Sequence, residues 1–184
     1  MRVIAGTRRS LPLKSLEGDT TRPTADRYKE TLFNVLQTDI PGSRFLDLFA
    51  GSGAIGIEAL SRGARHAVFV ENNRKAMAVI KENIHFTKFE DESDLILSDA
   101  VSYVRSLPVV DFDVIFIDPP YSHQLEEAVL LALDTKKFKN PEARIVVEAT
   151  LEEDFSFLEG TSFRIEKVKA YRSNKHIFIR REEV

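Results

Sequence analysis

Residues 46–60 read LDLFAGSGAIGIEAL, where a short apolar run passes into a glycine loop and then into a helical pattern. Gly51, Gly53 and Gly56 satisfy G-x-G-x-x-G, and an acid, Glu71, stands 20 residues beyond Gly51 at the end of the next apolar run. Glycine lets a backbone turn tightly and approach a ligand, and an acid at that distance can accept hydrogen bonds from ribose hydroxyls. A strand at Phe45 to Phe49, the loop, and a helix over 54–62 are therefore expected to open a nucleotide-binding α/β fold.

The alternation continues downstream with a strand at Ala67 to Val70, a helix at 73–86, a strand at Leu95 to Leu97 and a short helix near 101–106. A strand at 113–117, a helix near 124–133 and a strand at Arg144 to Glu148 follow. Strands separated by helices imply right-handed crossovers and a mostly parallel sheet covered on both faces. Upstream, TADRYKETLFNVLQT at 24–38 reads as a helix, with Thr24 able to cap it and Tyr28, Leu32, Val35 and Leu36 on one face. The tail changes character: 163–170 and 175–180 read as strands joined around Arg172 to Asn174, an antiparallel hairpin at the sheet edge. Residues 2–13 suggest a second small hairpin. The expected organisation is an N-terminal extension over 1–40, of hairpin and helix, and a main domain over 41–184, together one compact unit.

At 184 residues, 43% hydrophobic and 30% charged, one well-buried domain is expected. The absence of cysteine excludes disulfides, thiolate chemistry and Cys-based zinc sites. The four histidines lack H-x-x-x-H spacing, so no metal is expected. No apolar run reaches the roughly 20 residues that span a bilayer, and MRVIAGTRRS lacks a signal-peptide core, so the expected location is cytoplasmic, away from membranes. The net charge of -3 is unevenly distributed. Residues 1–29 carry seven Lys/Arg against three Asp/Glu, and 164–181 carry seven against Glu166 alone. Such basic ends, if adjacent in the fold, would offer a positive surface to a phosphate backbone; ordinary solvated charges are the alternative.

The same glycine pattern serves nicotinamide-binding proteins. Asp47, within the first strand, separates the readings, because a carboxylate there opposes a pyrophosphate but can pair with an ammonium. S-adenosylmethionine carries an ammonium and no phosphate, so the charge favours it. Asp99, in LSDA after the third strand, can accept from an adenine amine, with Ala100 offering its backbone. Asp99 could equally cap the following helix, and Glu71 could be a plain surface acid. Residues 113–122, DVIFIDPPYS, end a buried strand on an acceptor, two rigid prolines and a flat ring, a loop able to hold a planar amine.

LDLFAGSGAIGIEALSRGA at 46–64, RPTADRYKETLFNVL at 22–36, the opening RVIAG and DPPY at 118–121 together resemble the bacterial RsmD family over about residues 2–180. The family comprises methyltransferases that transfer the methyl of S-adenosylmethionine to a guanine N2 amine of small-subunit ribosomal RNA. The resemblance implies a class I methyltransferase fold, Rossmann-like, with seven strands and an antiparallel final pair. It places Asp47, Phe49, Ala50, Gly51, Ser52 and Gly53 at the methionine part of the cofactor, Glu71 with Asn72 at the ribose, and Asp99 with Ala100 at the adenine. Asp118, Pro119, Pro120 and Tyr121 become the catalytic loop. Arg8, Arg9, Arg22, Lys169 and Lys175 are expected among the phosphate contacts, with Arg22 and Arg27 able to reach the active-site mouth instead. The partner implied is ribosomal RNA or an assembling small subunit, met by a monomer. The tail departs from the family pattern, since Arg172, Ser173 and Asn174 follow Tyr171 where the family tends to glycine. The competing readings are an amino-methyltransferase for adenine N6 or cytosine N4, a nicotinamide-dependent oxidoreductase, and a non-catalytic RNA-binding module.

Overall fold

The computed structural model describes residues 1–16, 23–121 and 124–182. Helix α1 spans Pro23–Val35. It begins on a proline, whose missing N–H is one that a first turn leaves unpaired anyway, so Thr24, expected at the capping position, falls inside the helix. There follow β1 (Arg44–Asp47), α2 (Ala54–Ser61), β2 (His66–Glu71), α3 (Arg74–Thr87), β3 (Ser93–Leu97) and α4 (Ala100–Ser106). The chain continues with β4 (Val114–Ile117), α5 (Leu125–Asp134), β5 (Arg144–Thr150), β6 (Phe163–Ala170) and β7 (Asn174–Arg181). Two 3₁₀ turns, Glu90–Glu92 and Ser156–Gly160, lay beyond the sequence reading because a single turn shows no periodicity.

The sheet order is β3-β2-β1-β4-β5-β7-β6. The first five strands of that order are parallel, while β7 runs antiparallel to both β5 and β6. Strand order reverses between β1 and β4, which opens a crevice at their carboxyl ends. Register decides what faces it. Asp47 lies opposite Phe116, Phe116 opposite Val146, and Glu148 opposite His176. Side chains alternate along a strand, so Asp47, Phe116, Asp118, Glu148 and His176 share one face. That face packs under α1 and α2 through Leu32, Phe33, Leu36 and Ile57, whereas Leu46, Ile115 and Ile117 pack against α5 through Val129 and Leu133 on the other. Both faces are therefore apolar except at the strand ends.

The N-terminal segment is bound to this core through one carboxylate. Val3 N donates to Leu11 O at 2.9 Å and Ser10 N to Val3 O at 2.8 Å, closing the small hairpin expected over 2–13. Glu58, on α2 and fully buried, accepts from Ile4 N at 2.9 Å and Ala5 N at 3.1 Å. Its remaining partners are cations, Arg62 Nε at 2.8 Å and Lys29 Nζ at 3.3 Å, the latter from α1. Gly6 crosses the end of α2 at a positive φ of 84°, where a Cβ would lie 1.8 Å from Ser61 O. Only glycine fits there.

Removing Glu58 would leave Lys29 buried without its counter-charge and two backbone N–H groups unpaired. Glu58→Ala is expected to lower stability by about 3–5 kcal/mol in urea unfolding, with Glu58→Gln losing less because its amide oxygen still accepts.

Candidate active site

Two clefts lie along the carboxyl edge of the sheet. The larger, of about 290 Å³, has Asp47, Phe116 and Asp118 among its lining residues, with the loop residues Phe49, Ala50, Gly51 and Ser52. Tyr28 and Lys29 of α1 line it too, with Glu148 and His176. The smaller, of about 70 Å³, is lined by Glu71, Asn72, Ser98, Asp99 and Ala100. Phe49 lines both, so one elongated ligand could occupy the pair.

Each loop glycine has a separate reason. Gly51 and Gly53 hold φ of 57° and 81°, which turns β1 sharply into α2. Gly56 lies against Phe69, whose ring would be 2.3 Å from an added Cβ, so the third glycine sets helix-to-sheet distance. Gly51 N donates to Glu71 Oε2 at 2.9 Å and Asn73 N to Glu71 Oε1 at 2.9 Å. Glu71 thus fastens the loop to the end of β2 while lining the smaller cleft. Asp99 caps α4 by accepting from Ser102 N at 2.8 Å, and this bond holds its carboxyl below the usual range. The helix-cap role is therefore real, and the residue lines the cleft as well.

The charges are unusual. Asp47 is 1% exposed, accepts from Gly56 N at 3.2 Å, and is pushed up to about 7, chiefly by burial. Asp118 is held well above the usual carboxylate range by burial, then by Glu148 and Asp47. A crevice that strains to keep carboxylates ionised favours a cationic ligand. In the loop after β4, Pro119 is buried, Pro120 is exposed, and the Tyr121 hydroxyl is hydrogen-bonded to Glu148.

Sequence reading missed the supports behind this loop. Glu148 Oε1 accepts from Asn174 Nδ2 at 2.6 Å, and Oε2 lies 3.1 Å from His176 Nε2. His176 Nδ1 is 2.9 Å from the Tyr171 hydroxyl, and the Tyr171 ring meets that of Tyr28 at 4.6 Å between centroids. The one available signal was that Glu148 ends an apolar strand as Asp47 and Asp118 do.

The Tyr28–Tyr171 contact also brings α1 beside the β6–β7 turn, so the two basic segments adjoin. Their residues differ in availability. Arg8 donates from Nε to Thr87 O at 2.6 Å and lies over Phe89, and Lys175 Nζ caps Leu151 O and Glu153 O at 3.1 and 2.7 Å. Arg9 and Arg27 are exposed and line, with Arg2, a second cleft that shares Asp26 with the crevice, and Lys169 is exposed on β6. Arg22 lies outside the described residues.

A seven-stranded sheet of this order, its last strand pair antiparallel and its crevice at the β1/β4 reversal, is the class I S-adenosylmethionine-dependent methyltransferase fold. The family model described as Conserved hypothetical protein 95 matches residues 1–179. The chain is 38% identical over 152 residues to ribosomal RNA small subunit methyltransferase D of Haemophilus influenzae, covering 80% of this chain and 78% of that one. It is 39% identical over 150 residues to YlbH of Bacillus subtilis, with 80% and 82% covered. The solved structure of yhhF from Escherichia coli is similar with a TM-score of 0.87 at 31% identity, across 99% of this chain and 98% of that one. The chain belongs to this family, that of the RsmD-like methyltransferases.

The Asp47 shift makes a prediction about the protein without ligand. Its folded pKa of about 7 lies above the ordinary 3.8, so between those values the folded state binds the proton that the unfolded chain releases. The stability this group contributes is complete below about pH 4 and is lost as pH rises through about 7. Urea unfolding of Asp47→Asn against the parent should therefore show a stability gap that moves in favour of the variant from pH 5 to pH 8; a pH-independent gap would contradict the shift.

Proposed function

We propose that this protein transfers the methyl group of S-adenosylmethionine to the exocyclic N2 amine of a guanine in small-subunit ribosomal RNA. The observation that carries the reading is the Asp118–Pro119 step at the end of β4, placed across the strand-order reversal from Asp47 in one cleft. The choice of RNA is supported by the name of the Haemophilus relative.

The residues present fit the cofactor. Asp47 supplies the buried negative charge an amino-acid ammonium calls for, the left-handed Gly51 and Gly53 let backbone approach it, and Glu71, Asn72, Asp99 and Ala100 offer polar groups to a ribose and an adenine. When bound, S-adenosylmethionine supplies an electrophilic methyl on a positive sulfonium. The rest falls to the protein.

An exocyclic base amine is a poor nucleophile because its lone pair is delocalised into the ring. Asp118 and the carbonyl of Pro119 accept its two hydrogens, which favours a pyramidal nitrogen with the lone pair directed at the methyl. Tyr121, half-exposed beside the cleft and tied to Glu148, stacks on the base and fixes its plane. As the nitrogen–carbon bond forms and the sulfur–carbon bond breaks, the nitrogen sheds one proton. Asp118 is its acceptor, since its surroundings favour the protonated carboxyl. A stacked, paired guanine cannot present N2 to such a cleft, so the target base is unpaired or flipped. Exposed Arg9, Arg27 and Lys169 hold the backbone of the RNA.

The test is transfer of labelled methyl to small-subunit RNA, naked and in assembling particles, from cells lacking the enzyme, followed by nucleoside analysis. N2-methylguanosine is expected; a methylated adenine or cytosine would overturn the substrate while keeping the loop chemistry. Asp118→Ala is expected to lower transfer by at least about a hundredfold with cofactor affinity nearly unchanged. Tyr121→Ala should cost more than Tyr121→Phe, and equal losses would argue against stacking.

A further inference from the structure

We propose that Glu148 is the residue that selects guanine: its carboxylate accepts the N1–H that guanine carries beside its N2 amine and that adenine and cytosine lack. The inference rests on the guanine-N2 reading above. Beside their exocyclic amines, adenine has the N1 lone pair and cytosine the N3 lone pair. A carboxylate attracts guanine there and repels the other two.

Position comes first. Ile117 pairs with Val147, so the next residues, Asp118 and Glu148, sit on neighbouring strands about 4.8 Å apart and on the same sheet face. Both line the larger cleft. Going from β1 through β4 to β5, the cleft presents Asp47 for the cofactor, Asp118 for the amine, and Glu148 for whatever adjoins the amine. Guanine offers a second donor at that place.

Glu148 is also held as a reader would need to be. It accepts from Asn174 Nδ2 at 2.6 Å, from His176 Nε2 at 3.1 Å and from the Tyr121 hydroxyl. Because an ionised carboxylate only accepts, Nε2 of His176 carries its hydrogen, and Nδ1 is paired with the Tyr171 hydroxyl at 2.9 Å. The imidazole is buried, with the Phe116 and Phe178 rings edge-on to it, which fixes its orientation. A carboxylate has about four acceptor sites, so the three donors among the described residues leave one for the cleft. Tyr121 shares the same carboxylate, so the stacking ring and the reading group are set together.

The experiment replaces the mapped target with 2-aminopurine, which keeps the N2 amine but has a lone pair at N1, in full-length RNA joined by ligation and assembled into particles where particles are the substrate. The parent enzyme is expected to favour guanine in kcat/KM, and Glu148→Gln to reduce that preference by about ten- to a hundredfold, since an amide can donate to the lone pair. Tyr171→Phe, which loosens His176 without touching Glu148, should slow both substrates in equal proportion. An unchanged ratio in Glu148→Gln, or a parent enzyme that uses both bases equally, would overturn the assignment while leaving guanine-N2 transfer standing. If the parent methylates adenine or cytosine, the substrate reading itself has failed and the assignment falls with it.

Discussion

A carboxylate shut away from water must find donors for its charge, and Glu58 finds them in three separate segments. The backbone at Ile4 and Ala5 brings the N-terminal hairpin, Lys29 brings α1, and Arg62 brings the end of its own helix. Lys29 also donates to Arg2 O at 2.5 Å, so the hairpin and α1 are held to each other as well as to α2. Each of those groups would be costly to bury alone, which makes the arrangement all-or-none. The cleft inherits its shape from it, because α1 supplies Tyr28 and α2 continues directly from the glycine loop.

Much of this architecture was legible in the sequence because the signals are local. The glycine pattern, the 3.6-residue periodicity of α3 and the apolar strand runs each depend on neighbouring residues, and the class of fold follows from their alternation. The strand-end acids Asp47, Glu71, Asp99 and Asp118 lie where that topology puts ligands. What escaped was set by distance along the chain. Glu58 in GIEAL looks like any helical acid until the N-terminal hairpin covers it. Glu148 and His176 meet only through the β5–β7 register, which no local pattern encodes. Arg8 and Lys175 look like free cations in sequence, yet carbonyls of Thr87, Leu151 and Glu153 engage them. Helix α1 stops at Val35, short of the 38 read from periodicity, because a turn over 37–39 takes over.

Three acids, Asp47, Asp118 and Glu148, share one sheet face and line one cleft. The same glycine fingerprint thus serves opposite electrostatic ends. In a dinucleotide site the loop presents its helix N-terminus to an anion. Here Gly56 N is turned to Asp47, so the helix dipole stabilises a protein carboxylate and the cavity is left negative.

The sheet order has a consequence for biosynthesis. Strand β6 is made before β7, yet among the described residues its sheet partner is β7 alone, and β5 likewise waits for β7 on that side. A nascent chain that has reached Ala170 therefore holds a strand with nothing to pair to and a Glu148 without its imidazole. Threading β7 between the two closes both vacancies at once. The far edge of the sheet and the imidazole support of Glu148 therefore form in one step, so that side of the cleft cannot take shape before β7 is made.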